Sequence, residues 1–410
     1  MASCYVSFIA CSAMQAILPS FMTFLFPIMM LGLCMVLYPN TLINNKSFLC
    51  AIIYAATLFI SLLNHQLSGI GYGTGSFDTF LIEIGFILPS IAISAILIQN
   101  KNMINYKTLT IVFICSIVIS FLFVLPVVIT DKAMIRRLSY YQGAVNGTTI
   151  SNEILKFKSG FWSYTMLHVI SLSFPILWGL SRNIIDKNFK FICTIVSVLI
   201  LYIVLQMSIT TTFIYIMCIV ALLFCRYLGK YGIMGVLVVL FPLIFLLLNA
   251  DFILLQMQSY YAGTDMAPKI KDFIDIMNGG EGTHGSIEGR INFQRQAFEA
   301  FWTNPIIGSS YQGGGHSILL NRIGTTGLCG FIPYILIIYF QFKQWYNDIP
   351  STSKFYFLLS WLGAAILLYA KNCFGQEGFL FISVIIPSLA QVYIERNYQA
   401  NIYSLKPNNS

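Results

Sequence analysis

Long apolar stretches separated by short polar connections run from one end of the chain to the other. A bilayer core takes about 20 apolar residues per helix and leaves no backbone group unpaired, so each stretch predicts a membrane-spanning helix. Roughly twelve spans fit, counted by that length. They centre near Phe8, Met30, Ala56, Ala92, Ser116, Ile170, Val238, Tyr334, Leu362 and Val384. Residues 3–39 and 189–225 are each long enough, at about 1.5 Å per residue, for two short helices. Pro19-Ser20 and Ser208 to Thr212 are the expected turns within them. The predicted fold is an all-α polytopic membrane protein, one integral domain over residues 1–410.

Two polar excursions break this pattern. The first, residues 131–159, carries Lys132, Arg136, Arg137, Lys156 and Lys158 against Asp131 and Glu153, and its basic surface attracts anions. The second, residues 251–315, is acidic overall, so its arginines can be locally paired and positioned. A connection this long has structure of its own or a function. Ile270, Phe273, Ile274 and Met277 recur at helical spacing and predict a short amphipathic helix, followed by a glycine-rich break from Asn278 to Gly285. A second helix is expected from about Arg290 to Trp302, burying Phe298, Phe301 and Trp302 and stopped by Asn304-Pro305.

Composition agrees with the pattern: 57% of the residues are hydrophobic, 9% are charged, and the mean hydropathy is +0.78. These values exclude a soluble globular fold. The few charges set the orientation. Lys46, Lys101 and Lys107, Arg182 with Lys187 and Lys190, Arg226 and Lys230, Lys343 and Lys354, then Arg396 and Lys406 fall on alternate connections, the expected cytoplasmic side. The connection from Leu67 to Phe77 has no basic residue and faces outward, as do both excursions. Both chain ends are then cytoplasmic, and the first apolar segment reads as a permanent span, since no basic start or cleavage site marks it for removal. Of the ten cysteines, nine lie in or beside apolar spans and only Cys373 is in an outer connection, which reads as helix packing. No cysteine and histidine spacing suits a metal, and nothing suggests a nucleic-acid partner.

His316 stands at the start of an apolar helix behind Gly313, Gly314 and Gly315. Exposed backbone N–H groups point outward at such a helix start, and with Arg290 and Arg322 near they favour a phosphate or diphosphate. Taken singly, His316 can be an interfacial cap, the glycines a flexible connection, and Arg290 a partner of Glu288 or Glu299. Glu83 is a carboxylate within an apolar stretch near the outer end of its span, where it either has a role or reaches water. His168 and His65 read as packing or interfacial residues, and Tyr140, Tyr141, Trp162, Tyr260, Tyr261 and Tyr311 as an outer aromatic belt that can also stack sugars.

The run Gly289-Arg290, the helix ending at Trp302, Asn304-Pro305-Ile306-Ile307-Gly308, Tyr311 to Gly315, His316-Ser317 and then Gly324, Gly327, Leu328 and Gly330 resembles the Wzy/ligase superfamily, the group of O-antigen polymerases and O-antigen ligases. The motif match covers only the region from Gly289 to Gly330, while the arrangement of many spans around a large late outer loop covers the chain. The resemblance implies a C-type glycosyltransferase of the bacterial inner membrane, active at the periplasmic face in lipopolysaccharide biosynthesis. Its substrates would be undecaprenyl-diphosphate-linked oligosaccharides. A polymerase transfers the growing glycan from its undecaprenyl diphosphate to the terminal sugar of a new lipid-linked repeat unit. By the same resemblance Arg290 would bind the donor diphosphate and His316 would orient it or serve as base, with Arg136 or Arg137 as the first-loop arginine. Arg322, Gly315, Ser317 and Tyr311 complete the expected binding set, and a chain-length regulator is the expected protein partner. Many relatives carry a Ser-Arg pair in a middle span, whereas this chain reads Ser208-Ile209-Thr210-Thr211-Thr212.

No cofactor is expected. A lipid diphosphate is already a good leaving group, so transfer needs charge stabilisation, which arginine supplies, and a base, which histidine supplies near neutral pH. Two alternatives remain beside the polymerase. A ligase joining the polymer to lipid A-core shares nearly the same motif. A lipid-linked oligosaccharide flippase shares the span number, but would carry charges deep in several helices and lack one dominant outer loop.

Overall fold

The computed structural model describes residues 1–11, 22–68, 77–130, 164–184, 186–206, 249–260, 287–309, 317–370 and 377–392, with short pieces at 14, between 215 and 223 and between 270 and 275. Regular structure among the described residues is entirely helical. In chain order the helices used below are α1 (Ala2–Ala10), α2 (Met22–Leu37), α3 (Pro39–Ile43), α4 (Lys46–Ser68), α5 (Phe77–Gln99), α6 (Tyr106–Thr130), α7 (Tyr164–Ile170), α8 (Phe174–Asn183), α9 (Lys187–Gln206), α10 (Ala250–Tyr260), α11 (Ile287–Thr303), α12 (Ile318–Asp348), α13 (Ser351–Ala370) and α14 (Glu377–Leu380). A short π-helical turn, Phe381–Ile385, continues α14.

Among the described residues, three helical segments are long and apolar enough to cross a membrane: Lys46–Leu67, Ile318–Asp348 and Ser351–Tyr369. Shorter apolar helices accompany them at Leu25–Leu37, Glu83–Gln99, Tyr106–Leu122 and Glu377–Val392. Their outer faces expose Met29, Val36, Ile53, Ile60, Ile119 and Ile332, and α9 exposes Phe191 and Val198. So much exposed aliphatic surface is unfavourable in water and ordinary in lipid. The chain is therefore a multi-pass helical membrane protein. Two helices in the first apolar interval, α1 and α2, match the sequence expectation. The expected turns at Pro19-Ser20 and Ser208 to Thr212, the span near Val238, the first excursion and the glycine break at 278–285 lie outside the described residues.

Among the described residues, Lys46, Lys101 and Lys107 gather at one end of the bundle. Lys101, after α5, pairs with Asp348 at the end of α12 at 2.5 Å, and Lys107, at the start of α6, pairs with Asp186 before α9 at 3.1 Å. A surface cavity of about 360 Å³ joins Asn44, Asn45 and Lys46 to Gln99 and Gln344 at that same end. Asp186 also accepts from the backbone N–H groups of Asn188 and Phe189, capping α9. The Lys107 hydrogen bond and that cap hold its carboxyl below the usual range. Lys46, Lys101 and Lys107, expected on one side of the membrane, thus share one end of the fold.

About one to two turns in from that end, α5, α12 and the π-helical turn share a buried polar chain. Trp345 is fully buried, and its Nε1–H lies 3.0 Å from both Ser94 Oγ and the Ser383 carbonyl, while Ser94 Oγ donates to Gln341 Oε1 at 2.7 Å. The indole is the donor that makes this chain self-consistent. Trp345→Phe should lower stability by about 1–3 kcal/mol, the range for leaving buried acceptors unpaired. Thermal unfolding of the detergent-solubilised protein measures this, and an unchanged midpoint would show that the network contributes nothing.

Candidate functional site

At the opposite end α12 is interrupted. Gly327 has φ 56° and ψ −160°, a conformation for glycine alone, so α12 is two helical halves meeting at that residue. A continuous helix would pair Leu328 N–H with the Gly324 carbonyl and Cys329 N–H with that of Thr325. Here Leu328 N–H goes to Pro305 O at 2.9 Å and Cys329 N–H to Ile306 O at 3.0 Å. The carbonyls left behind find new donors. Gly324 O accepts from Ser309 N–H at 3.0 Å, and Thr325 O accepts from Ser61 Oγ on α4 at 2.5 Å.

All four groups released by the break are therefore satisfied, as a bilayer requires. The segment Asn304 to Gly308 supplies the replacement acceptors for the lower half-helix. Gly308, at φ 85°, stands against the backbone of Thr325 and Gly327. A Cβ on Gly308 would lie 2.3 Å from Thr325 O, and one on Gly327 2.6 Å from Gly308 N. Asn304 Oδ1 accepts from Ile307 N–H at 3.3 Å and holds the turn. The reason for Asn304-Pro305-Ile306-Ile307-Gly308 followed by Gly324 and Gly327 is thus mechanical: two glycine backbones touch where side chains would collide.

Through this joint α11 is fastened to the upper half of α12. Ala297 and Ala300 are buried there with Leu320 packed on them, and Ser309 Oγ donates to Ala300 O at 2.9 Å. Small residues permit that close approach. The sequence-based expectation that Phe298 and Trp302 would be buried is overturned, since both are exposed, on the side of α11 away from the alanines. The contact is too close to admit aromatic rings, so they lie outward, Trp302 stacked edgewise on Phe301.

Arg290 lies in the first turns of α11. With Thr303 beside the break and Leu320 against Ala297, α11 runs antiparallel to the upper half of α12. At about 1.5 Å per residue, Arg290 is then within roughly one helical turn of the height of Ser317. Ser317 is the N-cap of α12, its Oγ accepting from Leu320 N–H at 3.4 Å. Arg136, Arg137, Tyr311, Gly315 and His316 lie outside the described residues.

Arg322, one turn into α12, meets Glu83 of α5: Nη1 is 2.6 Å from Oε2, with both side chains largely buried. Glu83 does not reach water, being only 5% exposed. Its second oxygen, Oε1, accepts from the hydroxyl of Tyr54 on α4. Tyr54 and Tyr334 pack with ring centroids 5.3 Å apart, and the Arg322 guanidinium lies 6.0 Å from the Tyr334 ring. Below them Phe379 meets Tyr334 edge-on at 5.6 Å. The result is an ion pair over an aromatic floor, one turn above the helix break. Sequence reading singled out Glu83 and Arg322 separately but not as partners, and missed Tyr54 and Tyr334. The available signal was that each charge stands alone in an apolar helix, and opposite lone charges there need one another.

His168 is fully buried at the junction of α7 with the following turn, as a packing residue would be. The described cysteines Cys4, Cys11, Cys34, Cys50, Cys115, Cys193 and Cys329 are free thiols. Among the described residues no group of histidine, cysteine, aspartate or glutamate side chains has the arrangement of a metal site. No protein-family model, no curated protein and no solved structure matches the chain.

Proposed function

We propose that this chain is an O-antigen polymerase of the bacterial inner membrane. With about twelve spans of the usual length, it would work at the periplasmic face. It transfers a growing glycan from undecaprenyl diphosphate to the terminal sugar of a new lipid-linked repeat unit. The reading is supported above all by the joint between Asn304–Gly308 and the broken α12. That joint ties the helix carrying Arg290 to the helix that begins at Ser317 and carries Arg322, so an outer-loop arginine and a membrane arginine belong to one rigid unit. Discontinuous membrane helices typically accompany binding sites.

In this reading Arg290 binds the donor diphosphate and stabilises charge on the leaving group. His316 orients the donor or takes the proton of the acceptor hydroxyl. The basic segment around Arg136 and Arg137 supplies further positive charge for the two lipid diphosphates.

The test is a lipopolysaccharide gel from a strain deleted for the gene. A core bearing a single repeat unit is the expected pattern. A bare core with polymer held on undecaprenyl carrier would identify a ligase instead, and loss of surface glycan with repeat units trapped inside would identify a flippase. Arg290→Ala and His316→Ala should each reproduce the deletion pattern at normal protein levels, whereas wild-type ladders from both would remove them from the site.

A further inference from the structure

Glu83, Tyr54 and Arg322 form an arrangement in which one buried donor is left over. Each carboxylate oxygen has a partner, Oε2 the Arg322 guanidinium and Oε1 the Tyr54 hydroxyl. Arginine, in contrast, has five N–H donors in a planar fork, and the ion pair is made through Nη1. Arg322 Nε is buried and has no hydrogen-bond partner among the described residues. A buried donor left unpaired is unfavourable, and in an apolar surrounding the loss is not made up by water.

We infer that Arg322 is an anion-binding residue inside the outer part of the membrane domain, its Nε edge receiving a phosphate oxygen of a polyisoprenyl diphosphate, and that Glu83 with Tyr54 is the clamp that positions it. The identity of the lipid rests on the polymerase reading. The clamp does two things. It keeps the guanidinium neutralised when no ligand is present, since an unpaired arginine at this depth is strongly unfavourable. It also fixes the plane of the fork, with the Tyr334 ring beside it, so that the free edge is presented in one orientation. An arginine edge matches phosphate oxygens bidentately, which a lysine cannot do.

Positioning and simple structural support predict different outcomes. Glu83 is itself an anion competing for Arg322, so Glu83→Gln should bind undecaprenyl diphosphate in nanodiscs as tightly as wild type or more so. Its turnover of lipid-linked repeat units should nevertheless fall by about tenfold or more, because the fork is no longer held; this corresponds to roughly 1.4 kcal/mol. Glu83→Asp should restore part of the turnover. Arg322→Lys, which keeps the charge but has no Nε edge, should weaken undecaprenyl diphosphate binding by about tenfold. If either single variant fails to fold, Glu83→Gln/Arg322→Gln removes both charges together and should fold without binding the diphosphate.

Inorganic pyrophosphate and phosphatidylglycerol in the same nanodiscs separate the sources of phosphate. Competition by pyrophosphate supports the diphosphate assignment, and equal competition by phosphatidylglycerol overturns it in favour of a bulk lipid headgroup. Binding and turnover of Glu83→Gln that fall together, or that both match wild type, would overturn the positioning role. Arg322-dependent diphosphate binding in a protein that fails to restore polymer in the deletion strain would leave the site standing and remove the polymerase reading.

Discussion

Gly327→Ala should nearly abolish accumulation of folded protein. The alanine would have to adopt φ 56° and ψ −160°, at about 1–3 kcal/mol of backbone strain. Its Cβ would also fall 2.6 Å from Gly308 N and from the carbonyl of Ile306. Those neighbours are backbone atoms pinned by the hydrogen bonds from Gly308 N–H to Asn304 O and from Cys329 N–H to Ile306 O, so overpacking adds a further penalty of about 1–3 kcal/mol. Gly308→Ala should behave similarly, with its Cβ 2.3 Å from Thr325 O. Gly32 and Gly85 provide the contrast, since a Cβ at either meets nothing within 4 Å and alanine there should be neutral or slightly stabilising. Fluorescence size-exclusion profiles and thermal midpoints of the four variants decide the matter. Similar behaviour of Gly327→Ala and Gly85→Ala would show that the joint is not what holds α11 to α12.

Neutralising one member of the Glu83–Arg322 pair should destabilise the protein by about 3–5 kcal/mol, because the partner is left as an uncompensated buried charge. Arg322→Gln leaves a carboxylate with only the Tyr54 hydroxyl; Glu83→Gln leaves a guanidinium with only a neutral amide. Removing both charges should recover most of the loss, since a buried pair is often replaceable by neutral groups at little net expense. A double-mutant cycle on unfolding midpoints measures the coupling directly. Additive effects of the two substitutions would mean that the contact at 2.6 Å has no energetic weight.

How far the sequence foretold this arrangement depends on the kind of information each residue carries. Apolar stretches made the helices legible, and Lys46, Lys101 and Lys107 made one end of the bundle legible, because hydrophobicity and charge are local properties. Gly308 and Gly327 were visible as motif residues, yet their purpose was not, since two backbones touching across the span from Gly308 to Gly327 leave no compositional trace. The same holds for Tyr54, which looks like any aromatic residue in a span until α5 brings Glu83 beside it. The aromatic face of α11 was misjudged for a related reason. Phe298 and Trp302 read as a buried stripe, but the neighbour turned out to be approached through Ala297 and Ala300.

The bond between Ser309 N–H and Gly324 O closes the intervening chain into a ring. Its two ends are registered against each other by the glycine pair, so the height and rotation of Arg322 are counted from the joint at Gly327. One residue inserted between Arg322 and Gly324 would turn Arg322 by about 100° relative to the joint, one residue's share of a 3.6-residue turn, and swing it away from Glu83. The helix break is thus also the ruler that sets the ion pair.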